Sequence, residues 1–390
     1  MHRLNQMSGR ISSEIGFLCE VIDLSIVEPI HVLCVFSTLD RGGAESMCMN
    51  LYRHIDRKKV QFDFVKHTEK KGEFEDEIAS LGGQVFVAPH YKLYNIISYR
   101  AWWRAFLKKH PEHRIIHGHF FTISAVYFAI AKKEQRITVG HIHASGTKNR
   151  IKRFFVKQIR KYTDYPLACS KQAGEWAYRD HHFTVIKNAL DAELFRYSPE
   201  IRMEMRRTLG LDNELTLGTV ANFSPLKNPM GLIDIFLSVK QQCQNAKLLW
   251  IGDGGERERI ETRIRQDENL RDSVMLLGTR NDVSQLLQAM DVFLLPSLSE
   301  GLPVSVIEAQ ASGLKCYISD RVTNEVDITG RCRFLPIANH KLWANTILAD
   351  NISHVDTYQL VVDSGYDIHT TAKWLERFYM QIISKGGVRF

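Results

Sequence analysis

Two glutamates, Glu300 and Glu308, bracket the turn Gly301-Leu302-Pro303-Val304. The apolar run Asp291–Pro296 just before them reads as a short buried parallel strand. Gly301 permits a tight turn, Pro303 suits the first position of a helix, and Gly313 suits the residue just past its end. Backbone N–H groups at such a helix start are unpaired and lie at the positive end of the dipole, so they can receive a phosphate. An acid before the helix and another on its second turn could hold two hydroxyl-bearing parts of one ligand with a phosphate between them. A nucleotide sugar has that form. The same spacing also describes a helix-start acid followed by a solvent-facing glutamate.

Other reactive groups cluster in the same kind of place. Lys227 stands between Pro225 and Pro229, where a rigid turn could aim it at a diphosphate as a point charge, or leave it as a solvated surface lysine. Gly42-Gly43 follows an apolar run and opens a helical pattern, which is weak evidence for phosphate approach by itself. The pairs His117-Gly-His119 and His141-Ile-His143 each place two rings on one side of a strand. Chelation is then geometrically possible. Neither pair has the third ligand nearby in sequence that a catalytic zinc site would require, so no metal is expected. Hydrogen-bonding histidines at a cleft edge, or structural ones, are the remaining readings.

These groups need elements to position them. Apolar runs at 30–36, 63–66, 84–88, 114–117, 137–142 and 165–169 alternate with helical patterns, and the segment from Phe183 to Asp191 reads as a strand leading to a crossover. A second series follows at 216–221, 247–251, 274–278, 292–295 and 315–319. This rhythm predicts an α/β protein with two Rossmann-like parallel sheets. Ligands bind such sheets at the carboxyl ends of their strands, and the clusters above all fall at those ends. Two sheets facing each other across a cleft make a two-substrate arrangement. The expected division is an extension over 1–28, one domain over 29–193, a second over 194–366, and a final helical segment, 367–390, that could return to the first domain.

The chain has 390 residues, 44% hydrophobic and 24% charged, as a two-domain globular protein should. No run reaches the length of a membrane span, and acids interrupt the apolar part of the first 28 residues, which are expected to be poorly ordered and not a secretory signal. Seven cysteines without paired or metal-type spacing suggest reduced thiols and a cytoplasmic location. The net charge of +7 is concentrated in part between Lys148 and Lys161, where Lys152, Arg153, Phe154, Phe155 and Lys157 mark a candidate contact with an anionic membrane surface. A solvated basic face over a core stripe has the same pattern. The basic-aromatic stretch Tyr99–His110 is expected to pack inward. No nucleic-acid module accompanies either helix.

Taken together, the motifs resemble family 4 of the retaining glycosyltransferases of the GT-B fold, in the branch that builds bacterial capsular, exopolysaccharide and O-antigen chains. The resemblance rests on Glu300-Gly-Leu-Pro-Val-Ser-Val-Ile-Glu308, Phe223-Ser-Pro-Leu-Lys227-Asn228, Trp250-Ile-Gly-Asp-Gly-Gly255, Leu277-Gly-Thr-Arg-Asn-Asp-Val283, Gly42-Gly-Ala-Glu45 and His117-Gly-His119. It implies transfer of a hexose from a uridine-linked nucleotide sugar to a lipid-linked saccharide, with the enzyme peripheral on the inner face of the membrane. Glu308 would bind ribose hydroxyls, and Glu300 the donor sugar. The amides of Gly301, Leu302, Pro303 and Val304 (proline lacking the N–H) would line sugar and phosphate. Lys227 would neutralise the leaving diphosphate, Thr279 and Arg280 would lie along the base, Gly42 and Gly43 would admit the donor, and His119 would sit near the reacting sugar. The resemblance implies no cofactor and no metal, in keeping with the lack of a D-x-D pattern in the second half. Two departures stand out: Asn222 occupies a position where the family commonly has arginine, and Ala189 replaces the usual hinge glycine. A GT-B epimerase, or a sugar-nucleotide-binding scaffold with little activity, is the alternative.

Overall fold

The structure is a computed structural model that describes residues 28–119, 121–143 and 150–385. Seven parallel strands build the first sheet: β1 (Ile30–Val35), β2 (Val60–Lys66), β3 (Val85–Val87), β4 (Ile115–Gly118), β5 (Ile137–Ile142), β6 (Tyr165–Ala168) and β7 (Thr184–Val185). Six more build the second: β8 (Thr216–Val220), β9 (Lys247–Ile251), β10 (Val274–Gly278), β11 (Val292–Leu295), β12 (Lys315–Ser319) and β13 (Cys332–Leu335). The orders are β3-β2-β1-β4-β5-β6-β7 and β10-β9-β8-β11-β12-β13. Both are the doubly wound order, as expected of two Rossmann-like sheets. Strand order reverses between β1 and β4 in one sheet and between β8 and β11 in the other. Those reversals open a crevice at the carboxyl edge, where this fold class receives ligands.

The central strands are apolar along their length because helices cover both faces. Val32 to Val35 and Val292 to Leu295 are fully buried. β4 and β5 pair with His117 opposite Val139 and Gly118 opposite Gly140. The two H-x-H pairs therefore end neighbouring strands at the same height.

The helix Ile368–Ser384, last in sequence, packs on the first sheet. Its Ile368, Ala372, Leu375, Tyr379 and Ile382 join a core with Phe62, Phe64 and Ile115. Polar contacts fix it there: Tyr379 Oη lies 2.6 Å from His117 Nδ1, and the Asp56 amide donates to Glu376 Oε1 at 2.7 Å. Leu190 forms a parallel bridge with Asp367 where the chain passes between the sheets. Ala189 in this crossing is buried without a positive φ, so the alanine carries no left-handed strain.

Among the elements beyond the periodicities read from the chain are β13 and the helices His340–Ala349 and Tyr358–Asp363. The strand is four residues long with exposed Arg333 inside it, and the second helix has six residues, too short to give a clear period. In the helix Ile96–Lys109, Tyr99, Trp103 and Phe106 are buried, as expected. The basic helix spans Arg150–Tyr162. Its Val156 and Ile159 enter the core, while Lys157 and Lys161 are exposed. The side chains of Lys152, Arg153, Phe154 and Phe155 lie outside the described residues, as does the expected N-terminal extension apart from Glu28.

Candidate active site

The site is built first from the two loops at the reversal of the second sheet. After β8 the chain makes a 3-10 turn, Pro225–Lys227, and Asn228 follows in the left-handed region at φ 55°. The Asn228 side chain caps the helix Pro229–Lys240 by accepting from the Gly231 amide, and its amide group donates to the Pro296 carbonyl at 3.1 Å. The Leu298 amide donates to the Leu226 carbonyl at 2.8 Å. The loops after β8 and β11 are thus tied together by their backbones. This juxtaposition brings Lys227 Nζ to 2.6 Å from Glu300 Oε1, both side chains being largely buried.

Beyond Glu300 the chain enters the helix Val304–Ala311 with Pro303 at its N-cap, one residue before the position the sequence suggested for the proline. No side chain caps this helix. Gly301 does not adopt a positive φ, so its value is not the turn geometry expected of it. Among the described residues a Cβ built there meets no atom within 4 Å, and the same holds at Gly43. Both glycines border open space that a ligand can approach. Gly42 caps the helix Gly43–His54 without a side-chain bond, giving the first sheet an uncapped helix start of its own.

Glu308 lies in the second turn of the Val304–Ala311 helix, partly exposed, and its carboxylate has no hydrogen bond or ion pair among the described residues. Burial without compensation pushes its carboxyl up to about 7. An unpaired carboxylate of this kind is stabilised by any ligand that brings hydroxyl donors to it.

Across the cleft stand the histidines of the first sheet. His119 is buried, stacks on Phe36 with ring centroids 4.4 Å apart, and has Nδ1 2.9 Å from His143 Nε2. Burial, and then the neighbouring imidazoles, hold its basicity well down. His117 falls to about 3 and His143 to about 4 for the same first reason. These rings are neutral near pH 7. A cavity of about 490 Å³ joins the two halves, lined by Lys171, Gln172 and Glu175 from one side and Glu300, Arg321 and Glu325 from the other. Lys171 and Arg321 were not singled out in the sequence. Both follow the ends of strands, β6 and β12, so the carboxyl-edge rule alone could have found them.

The remaining candidates sit at the rim. Asn222 is exposed after β8, its Oδ1 accepting from Ser224 Oγ at 2.9 Å. Thr279 and Arg280 follow β10, exposed, and Arg280 forms a two-point ion pair with Asp282 at 2.6 and 2.8 Å. Asn222, Lys227, Glu300 and Gly301 thus share one pair of adjoining loops, while Thr279 and Arg280 stand two strands farther out, after β10.

With this geometry in place, comparison with known proteins is informative. The family described as Glycosyltransferase Family 4 matches residues 41–194, and Glycosyl transferases group 1 matches residues 202–330. The putative glycosyltransferase EpsF of Bacillus subtilis is 33% identical over 337 residues, covering 81% of this chain and 86% of that protein. The UDP-Gal:alpha-D-GlcNAc-diphosphoundecaprenol alpha-1,3-galactosyltransferase of Escherichia coli is 33% identical over 142 residues, 35% of this chain and 36% of that one. Among solved structures, Anabaena HepE in complex with UDP and glucose superposes with a TM-score of 0.68 at 20% identity, covering 90% of this chain and 99% of its own. That last likeness bears on the fold.

Proposed function

The chain belongs to glycosyltransferase family 4, in its polysaccharide-building branch, and we propose from that premise that it moves a hexose from a UDP-linked sugar to a lipid-linked saccharide with retention of configuration. It is an enzyme of the glycosyltransferase class. The observation that carries the finer reading is the Lys227–Glu300 pair beside an uncapped helix start, with the unpaired carboxylate of Glu308 one turn farther on.

In this reading the diphosphate lies at the start of the Val304–Ala311 helix, against the free amides of that turn and the Lys227 ammonium. Glu308 accepts from the ribose hydroxyls and Glu300 from the sugar hydroxyls. As the sugar–phosphate bond breaks, negative charge grows on the leaving phosphate, and preorganised donors lower the barrier by meeting it there. The departing oxygen takes the acceptor hydroxyl proton on the same face of the sugar, so no protein nucleophile is required and configuration is retained. Lys227 and the helix start supply the positive charge, and the transfer itself calls for no metal. Neutral His119 lies across the cleft, near the reacting sugar, with its Nδ1 engaged by His143.

The lipid-linked acceptor is supported by the Escherichia coli relative, whose name carries a diphosphoundecaprenol-linked sugar, and UDP by that name and the HepE complex. No helix among the described residues is long and apolar enough to cross a membrane. We also propose that the enzyme acts in the cytoplasm, held on the inner membrane face by the basic helix Arg150–Tyr162, a reading supported by the lipid-linked substrate in the Escherichia coli relative's name. Thermal-shift measurement against a panel of nucleotide sugars tests the donor: a donor at a hundred times its Kd stabilises by about 2.7 kcal/mol. Equal shifts for every nucleotide sugar, or none, would remove the UDP-hexose assignment. Turnover of donor without any acceptor would indicate an epimerase instead.

A further inference from the structure

Neither H-x-H pair finds a third ligand along the chain, but the sheet supplies one. Parallel pairing sets Gly118 opposite Gly140, so His119 and His141 follow side by side at the ends of β4 and β5. Alternation along each strand then brings His117 and His143 to the same face. The four imidazoles form one packed group, with centroids 4.2 Å apart within each pair and 5.2 to 5.5 Å between His119 and His143, His119 and His141, and His117 and His141. One nitrogen each from His119, His141 and His143 lies within 4.8 Å of the other two.

We propose that His119, His141 and His143 form a binding site for a divalent transition-metal ion of the zinc, cobalt, nickel or copper class. The chemistry of the donors selects this class, since neutral imidazole suits those ions and gives nothing to calcium or magnesium, which take oxygen. The second observation is what the nitrogens lack. Among the described residues neither nitrogen of His141 has a hydrogen-bond partner, and the side chain is more than nine-tenths buried. A buried polar atom left unpaired is costly, so the unpaired imidazole of His141 beside the His119–His143 pair calls for a ligand.

The adjustment required is small. Ligands 2.0–2.1 Å from a tetrahedral ion stand about 3.3 Å apart, so the 2.9 Å between His119 Nδ1 and His143 Nε2 must open by only a few tenths of an ångström. The hydrogen bond between those atoms uses one ring proton. When both nitrogens ligate, that proton moves to the outer nitrogen of its own ring, and each imidazole stays neutral. Phe36 stacked on His119 holds the first ring, and His117 stacked against His141 holds the second. His143 is partly exposed and gives the ion a path in. The neighbouring group of Cys34, His117 and His119 also meets the distance criterion, but all three are sealed from solvent. Three ligands leave a fourth position for water or an oxygen anion. The filled site would tie the ends of β4 and β5 together at the floor of the cleft, whichever sugar is transferred.

Cobalt titration of the chelator-stripped full-length chain, followed by visible absorption, tests this. The expected result is a four-coordinate cobalt spectrum that saturates at about one ion per chain and is abolished by zinc. Changes beyond the ligand shell commonly weaken a metal by 10–100-fold, so His119→Gln and His143→Gln should each lower affinity by at least about tenfold. His182→Gln, an exposed histidine outside the group, should leave it unchanged. Zinc should also raise the melting temperature of the wild type but not of His143→Gln, and melts in the absence of metal show that each variant is folded. No cobalt spectrum at saturating metal overturns the proposal, as does a spectrum of full strength in folded His119→Gln and His143→Gln.

Discussion

Lys227 Nζ and Glu300 Oε1, 73 residues apart in sequence, lie 2.6 Å apart where strand order reverses in the second sheet. Their loops are joined independently by the Leu298–Leu226 and Asn228–Pro296 hydrogen bonds, so the pair is held from both sides. Glu300 keeps the ammonium at the mouth of the helix start, and Lys227 keeps the carboxylate from turning into it.

Loss of the cation should therefore act on the transition state. Lys227→Met is expected to lower kcat by roughly 10²–10³-fold, about 2.7–4 kcal/mol, as for other deleted oxyanion donors. Glu300→Gln in the same background should be strongly non-additive, with a coupling of about 0.5–3 kcal/mol from steady-state kinetics of the four proteins. Additive effects would show that the pair does not act as a unit.

Glu308 sets a pH dependence whose sign follows from its environment. Its carboxyl, ordinarily near 4.5, stands at about 7 in the folded chain. Ribose hydroxyls bind the ionised form, so donor affinity should rise with pH up to about 7 and level off above it, as isothermal titration at several pH values would report. Stability runs the other way. The protonated form is preferred in the fold, so the wild type loses stability as pH rises between about 4.5 and 7. Glu308→Gln should be more stable than wild type at pH 8 by roughly 1–3 kcal/mol and equal to it below pH 4.5, and its deficit in donor binding should be full above about pH 7 and shrink as pH falls.

Asn222 offers a gain-of-function test. It is exposed on the same loop as Lys227, and Arg280 is engaged by Asp282. An arginine at 222 would add a second cation facing the leaving diphosphate, and a charged hydrogen bond is worth about 1.5–3 kcal/mol. Asn222→Arg should raise kcat/KM by about tenfold or more. An unchanged rate would mean that Lys227 and the helix start already suffice.

Much of this was legible in the chain because parallel strands buried on both faces write themselves as apolar runs. The runs at 30–36 and 292–295 gave the order of the elements, and the carboxyl-edge rule then gathered Gly43, Lys227 and Glu300. What periodicity cannot carry is which strands become neighbours. The convergence of His119, His141 and His143 depends on the β4–β5 register, and the Lys227–Glu300 contact on the adjacency of β8 and β11. The sequence predicts a special turn conformation at Gly301, whereas its backbone is ordinary and the open space beside it is the notable feature. The edge strand β13 was missed because a four-residue run with an exposed arginine has too few positions to show a pattern.

The last helix should matter to stability far more than its place in the chain suggests. Leu375 is buried against the first sheet, and removing such a side chain leaves a cavity costing about 2–5 kcal/mol. Leu375→Ala should lower the denaturant midpoint accordingly. A loss below about 1 kcal/mol would mean that the helix is not part of that core.

Membrane attachment through the basic helix predicts co-flotation with vesicles containing anionic lipid, weakened by salt. Each basic residue near such a surface contributes about 1 kcal/mol, so reversing Lys152, Arg153 and Lys157 to glutamate should abolish flotation. Binding that ignores both salt and charge reversal would assign attachment to another surface.

The central claim is that the Lys227–Glu300–Glu308 edge binds the donor and drives transfer with retention. It is tested most directly by incubating the enzyme with UDP-hexose and a diphospholipid-linked sugar and assigning the anomeric configuration of the product by NMR, for the wild type, Lys227→Ala and Glu308→Ala. The account predicts a product with the donor's own anomeric configuration, formed at least about a hundredfold more slowly by each variant. An inverted product, or near-wild-type turnover in both variants, would contradict it.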